Sequence, residues 1–318
     1  MNSWRKRMKH FHNILFVSNG IGEETEALGH AIRLAADNNA SLDILITCPP
    51  FPHSLDDYKS SYETFLIEKM NHTIQSAKTT LSLNKKEPSI KIEIECGNTP
   101  DIRITQRVLR HSYDLVVKAA EKNENKKGFR ALDMALLRQC PCALFLHRPI
   151  TPDETIHIAV AIDPKDEEVS GHDLAINLLR LSYALSIHYK AKLSVITCWD
   201  FVLEDYLRRS VLIDIPPPEL DEMVMKESRS HYSALCALIH ESGIKAQPTI
   251  YHLKGRPAEH IPSCINENKI DILVMGTVAR TGISGFFIGN TAENILQKIN
   301  CSLWALKPQG FVSPVKAY

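Results

Sequence analysis

Residues 276–293 read Gly-Thr-Val-Ala-Arg-Thr-Gly-Ile-Ser-Gly-Phe-Phe-Ile-Gly-Asn-Thr-Ala-Glu. Closely spaced glycines let backbone N–H groups approach phosphate oxygens, and Arg280 adds a charge that suits phosphate. Asn290 or Thr291 can cap the helix expected to follow, whose positive end also favours an anion. The same half of the chain offers three more strand ends with polar residues: Asp163, Thr197-Cys198-Trp199 and Gly255-Arg256-Pro257. Together they point to binding of a phosphate-bearing ligand. No nucleophile–base pair accompanies them at a useful spacing, so no hydrolase is expected. His10, His12, His147 and His157 show no ligand spacing, and no metal site is expected.

Each of these residues also has a plainer reading. The glycine loop could be a strand-to-helix turn retained for folding. Asp163 could cap the next segment, Arg256 could be a solvated loop charge, and Trp199 a core or rim aromatic.

These residues must be positioned by strands and helices, and the chain spells them twice. Asn13–Asn19 corresponds to His157–Asp163, Ile46-Thr47-Cys48 to Ile196-Thr197-Cys198, and Tyr113–Lys118 to Ile270–Met275. Leu137–Pro149 corresponds to Leu296–Pro308, so four landmarks recur in order at offsets of 144, 150, 157 and 159 residues. A unit of about 150 residues, duplicated, is one domain each time. We place the domains at 11–150 and 155–310.

Within each unit, short apolar runs alternate with helical patterns. Leu28, Ala31, Ile32 and Ala35 follow helical spacing, as do Leu174, Leu178, Leu181 and Leu185. A longer stripe runs from Leu55 to Leu81, with a shorter and less regular counterpart around Leu220, Val224, His231, Leu235 and Leu238. Pro100 and Pro257 open a third pair of helices. Strands apolar on both faces and separated by helices read as parallel strands buried between helix layers. The fold class is therefore α/β: two tandem doubly wound domains, each with a parallel sheet of about five strands. A ligand would sit outside the carboxyl ends of the strands.

Composition narrows the function classes. The chain has 318 residues, 44% hydrophobic and 23% charged, with 37 basic and 37 acidic side chains. That balance provides no overall field toward nucleic acid or an anionic membrane. The first 150 residues carry 21 basic against 17 acidic groups, and Arg5, Lys6, Arg7 and Lys9 account for the excess. That basic leader reads as a tail. No apolar run approaches a membrane span, and the run after the leader is too short for a signal peptide, so a cytoplasmic protein is expected. None of the eight cysteines forms a Cys-x-x-Cys pair; free structural thiols, without a disulfide framework, are expected.

The glycine loop carries a resemblance. Members of the universal stress protein family have Gly, two residues, Gly, nine residues, Gly and then Ser or Thr after the fourth strand; here Gly276, Ala279, Gly289 and Asn290 fall at that spacing. The strings 276–284 and 289–293, with the Asp-Leu-Val-Val-Lys and Leu-Arg-Gln-Cys-Pro segments, resemble the tandem, E-type members, and the resemblance covers nearly the whole chain. It implies an adenine nucleotide alpha hydrolase-like fold and a regulatory or protective role in stress, with little or no catalysis. It also implies an ATP or AMP site formed by Asp163, Thr197, Arg256, Gly276, Thr277, Arg280, Gly282, Gly289, Asn290 and Thr291. Asp163 would face the adenine or ribose side.

Stand-alone members pair as homodimers, often through the last strand. The two domains here are expected to form an internal pseudo-dimer through Ala143–Leu146 and Ser302–Leu306, with a homodimer of the chain and regulatory protein partners left open. The departures matter as well. Ala279 replaces the second glycine, and Asn290 lacks the family hydroxyl. In the first half, residues 118–128 hold one glycine and no matching spacing, and Asn19 stands where the second half has Asp163. Any nucleotide is therefore expected in the second half. Phe286, Phe287 and Ile288 keep an alternative open, a more apolar ligand or a protein partner at the same cleft.

Overall fold

Strands and helices form where the apolar periodicities place them, in a computed structural model that describes residues 11–81, 87–122, 127–150, 155–165, 169–210, 215–277 and 288–318. The basic leader and most of the glycine loop lie outside the described residues. The first half runs β1 (Asn13–Ser18), α1 (Thr25–Asn38), β2 (Ser41–Cys48), a 3₁₀ helix (His53–Tyr58), α2 (Lys59–Thr80), β3 (Ile90–Cys96), α3 (Pro100–His111), β4 (Leu115–Ala119), α4 (Ala131–Gln139) and β5 (Ala143–His147). The second half runs β6 (His157–Ala161), α5 (Val169–Tyr189), β7 (Lys192–Trp199), α6 (Glu204–Arg209), α7 (Pro217–Ser242), β8 (Thr249–Lys254), α8 (Pro257–Glu267), β9 (Ile272–Gly276), α9 (Asn290–Leu296) and β10 (Ser302–Leu306).

Alternation along each strand feeds two cores. Ile14, Phe16, Leu42, Ile44 and Ile46 face the layer of α1, α2, α5 and α7, where Leu28, Leu66, Leu178 and Leu235 meet them. Leu15, Val17 and Leu45 face the other layer, which holds Ile104 of α3, Met134 of α4, Ile261 of α8 and Ala292 of α9. Burial on both faces is why these strands read as continuous apolar runs.

The two halves join into one ten-stranded sheet, ordered β3-β2-β1-β4-β5-β10-β9-β6-β7-β8. Within each half every neighbouring pair is parallel. The seam is the antiparallel pair β5–β10, with Leu146 opposite Leu303, Phe145 opposite Trp304 and Leu144 opposite Ala305. The apolar edges at the two last strands thus cover one another, which removes both from exposure.

Repeated backbone bonds explain why the landmarks recur. Asp114 Oδ2 accepts His12 N–H at 2.8 Å, and Asp271 Oδ2 accepts His157 N–H at 2.8 Å. Each aspartate thereby ties the start of the fourth strand of its half to the start of the first. At the carboxyl ends, Gly97 N–H donates to Cys48 O and Gly255 N–H to Trp199 O, both at 2.8 Å. Both glycines sit at positive φ, +153° and +119°. A Cβ on Gly255 would lie 2.5 Å from His260 Nε2, so glycine is required there by conformation and by space.

Three sequence expectations need correction. Cys48 and Cys96, expected as free thiols, form a disulfide. They face one another in the parallel register of β2 and β3, a proximity that spacing 48 residues apart in sequence does not reveal. The six other cysteines form no disulfide. The single stripe from Leu55 to Leu81 is broken: Leu55 lies in the 3₁₀ helix and is exposed, and the buried face of α2 is Leu66, Met70, Ile74 and Ala77. Its counterpart is longer, not shorter: α7 has 26 residues against 22, because Gly243 at φ 69° and not a loss of periodicity ends it.

Lys307, just past β10, donates to Leu137 O and is largely buried beside Cys140 and Cys142. Burial lowers its pKa from 10.5 to about 8. Below pH 8 the folded chain must hold this charge in a poorly hydrated place. Between pH 8 and 10.5 the folded state has released the proton while the unfolded state still binds it. This group therefore adds stability as pH rises through that window. Urea titrations of wild type and Lys307→Met at pH 7.5 and 10 should show the wild type gaining relative to the variant at the higher pH; parallel behaviour would contradict this.

Candidate functional site at the carboxyl edge of the second half

The order β9-β6-β7 creates a switch point beside β6. The crossover from β6 to β7 passes through α5 on one face, and that from β8 to β9 through α8 on the other. The segments that leave β6 and β9 therefore part at their carboxyl ends, the place where open α/β sheets take their ligands. Ala161 pairs with Met275, so Asp163 and Thr277 each lie two residues beyond the same rung. On the other side Ala161 pairs with Ile196, which brings Thr197 one residue beyond its own rung.

The structure thus groups Asp163, Thr197, Gly276 and Thr277. Asp163 Oδ1 accepts Lys165 N–H at 2.9 Å, which is the local capping role the residue type allows. Thr197 and Thr277 are buried, 1% and 0% exposed, and among the described residues neither hydroxyl has a hydrogen-bond partner. Burying a hydroxyl without a partner costs about 1–3 kcal/mol, so two at one edge ask for an explanation. Gly276 has a packing reason to be glycine: a Cβ there would lie 2.8 Å from Leu174 Cδ2 of α5.

The chain returns from the glycine loop at Ile288, which is buried in the core, and Gly289 N–H donates to Thr277 O at 3.3 Å. Gly289 is the N-cap of α9, and no side chain caps that helix. Asn290 is its first residue and Thr291 its second, so the capping expected of them is corrected: a glycine ends the loop and the helix starts one residue later. Arg280, Gly282 and Ala279 lie outside the described residues, as do Phe286 and Phe287. Arg256 does not join the group. It caps α8 at the end of β8, two strands from β6, and its 83% exposed side chain lies 3.8 Å from Glu259. Trp199 stacks on His252 at 5.7 Å, and Lys254 Nζ lies over the Trp199 ring, 5.6 Å from its centre.

One residue escaped the sequence argument as a polar group. His231 lies on the apolar stripe of α7, is 4% exposed, and its Nδ1 meets His252 Nε2 at 3.0 Å. Burial and then the His252 neighbour lower its pKa, while Asp163 pulls the other way. It is therefore a neutral imidazole near the cleft. Cys198, beside Thr197, is inert: burial pushes its thiol up to about 12.

The equivalent edge of the first half is filled by its own side chains. Lys118, at the end of β4, donates to Asp133 Oδ1 at 2.9 Å, and Asp133 Oδ2 accepts Glu121 N–H at 2.9 Å. Glu24 is buried, with Ser18 Oγ donating to it, and burial raises its pKa. Asn19 Oδ1 accepts Gly22 N–H at 2.7 Å and closes the turn after β1. A Cβ on Gly20 would lie 2.8 Å from both Ile46 and Leu66, so the backbone is pressed onto α2. A separate cavity of about 520 Å³, lined in part by Arg148, Asp271, Asn300 and Ser302, lies at the opposite, amino end of β9 and β10.

Comparison with known proteins gives four findings. The family model described as the universal stress protein family matches residues 10–148 and again residues 156–307. The chain is 27% identical over 327 residues to universal stress protein E of Photorhabdus laumondii, covering 98% of this chain and 99% of the relative. It is 30% identical over 234 residues to universal stress protein E of Escherichia coli K12, covering 71% of each. Among solved structures, a universal stress protein from Archaeoglobus fulgidus superposes with a TM-score of 0.62 at 13% identity, covering 93% of this chain and 98% of that one, which speaks to the fold.

Proposed function

Because the chain belongs to the universal stress protein family, whose model matches it twice, we propose that it is a cytoplasmic, non-catalytic stress-response protein that binds an adenine nucleotide, ATP or AMP, in its second half. The observation that carries this reading is that Asp163 and the buried hydroxyls of Thr197 and Thr277, which have no hydrogen-bond partner among the described residues, follow three neighbouring strands at a switch point. A bound nucleotide would supply acceptors or donors to both. The first half would take no nucleotide, since Lys118 and Asp133 satisfy each other where a ligand would otherwise sit. The domains would divide at 11–150 and 155–310, and Arg280, Gly282, Gly289 and Asn290 would line the phosphate side. Arg256 would act only if the ligand reaches the end of β8.

The alternative apolar ligand loses one of its three supports, since Ile288 belongs to the core and not to the cleft. The test uses Thr277→Val, which removes a hydroxyl and keeps the shape. Without ligand its melting temperature should equal or exceed that of wild type, because the buried hydroxyl it removes has no partner among the described residues. With ATP or AMP its thermal shift should shrink, with affinity falling about tenfold for one lost hydrogen bond. An unchanged nucleotide shift, or a shift produced only by an acylated nucleotide sugar, would favour the other occupant.

A further inference from the structure

On the far side of the molecule from the second-half cleft, Glu26 and His30 of α1 meet His147, the last residue of β5. One ligand atom from each lies within 4.8 Å of the other two. His147 is 3% exposed; its Nε2 lies 3.3 Å from Glu26 Oε1 and makes no hydrogen bond among the described residues. His30 packs against it with ring centres 4.7 Å apart. The other nitrogen-bearing edge of His30 is already held: Nδ1 meets the hydroxyl of Tyr189 at 3.0 Å, and Tyr189 is the last residue of α5 in the second half. Glu26 is exposed, so the cluster opens to solvent on one side.

We propose that Glu26, His30 and His147 form a binding site for one zinc-like divalent transition-metal ion, with water completing the coordination. Two imidazoles and one carboxylate are a donor set suited to zinc. The spacing of Glu26 and His30, four residues apart on a helix, puts both on one face. The Tyr189 hydroxyl acts as the outer partner that fixes the His30 ring and leaves Nε2 to the metal. A neutral histidine is the ligating form. The Arg33 charge nearby repels a dication, so the expected affinity is moderate.

The consequence is mechanical. Glu26 Oε1 also accepts Ile150 N–H at 3.4 Å, just where the chain leaves β5 for the second half. A bound ion would fasten α1, the end of β5 and, through Tyr189, the end of α5. It would therefore brace the seam between the two halves. Histidine-to-histidine spacing in the sequence does not reveal the site, since His30 and His147 lie on different elements; the Glu26–His30 pair is its one sequence-level sign.

The experiment is calorimetric titration of the full chain with Zn²⁺, in a Cys140→Ser, Cys142→Ser background that removes the adjacent thiol pair as a competing site. The expected result is one equivalent of Zn²⁺ bound and a higher melting temperature with the metal. Glu26→Gln, at an exposed position, should melt like its parent without metal and bind Zn²⁺ at least tenfold more weakly; His30→Gln should weaken binding further. Absence of binding would overturn the proposal, as would binding that Glu26→Gln and His30→Gln leave intact.

Discussion

Asp133→Ala is expected to destabilise the protein by about 3–5 kcal/mol, the largest loss among single charged positions in the first half. Asp133 is fully buried and accepts from Lys118 Nζ and from Glu121 N–H, both at 2.9 Å. Removing it leaves the Lys118 ammonium, 9% exposed, with the Ala119 carbonyl at 2.9 Å as its hydrogen-bond acceptor among the described residues. The cost is that of a stranded charge and not of the pair itself. Replacing both residues together, as Lys118→Met with Asp133→Leu, should therefore recover most of the loss. Equilibrium denaturation in urea measures both quantities. A double variant no better than Asp133→Ala would show that the pair contributes in some other way than by mutual satisfaction.

The seam supplies the second large effect. Trp304 is fully buried, stacks on Phe145 of the other half at 4.7 Å and 14°, and stacks on Phe11 at 5.8 Å. Trp304→Ala removes the largest side chain at the contact between halves and should cost about 3–5 kcal/mol. Its Nε1 has no hydrogen-bond partner among the described residues, so the indole N–H contributes nothing that a phenyl ring would lose. Trp304→Phe is accordingly expected to cost clearly less than Trp304→Ala. Denaturation curves of the two variants check this, and an equal loss in both would assign the residue's contribution to the N–H and not to the stack.

Much of this arrangement is legible in the residues. The apolar runs locate the strands because both faces are covered, and Pro100 and Pro257 open α3 and α8 as their fixed φ favours. The repeat foretells two matching halves, and the apolar last strands foretell the seam. What escaped the sequence depends on contacts between distant residues. The Cys48–Cys96 link needs the β2–β3 register, and the length of α7 depends on where Gly243 turns left-handed. The closing of the first-half edge depends on Lys118 finding Asp133 on α4, a pairing that no local motif announces. Of the candidate site residues, Asp163, Thr197, Gly276 and Thr277 end or follow neighbouring strands, as the apolar runs before them foretell, while Arg256 lies two strands from β6 because β8 is the sheet edge.

The proposed function predicts an asymmetric pair of domains, with one nucleotide held by the second half and none by the first. The most direct measurement is the stoichiometry of ATP and AMP binding to the full chain by titration calorimetry. One nucleotide per chain, with binding weakened by Thr277→Val and untouched by Asn19→Ala, is the expected result. Two nucleotides per chain, or one that survives Thr277→Val and is lost with Asn19→Ala, would contradict it.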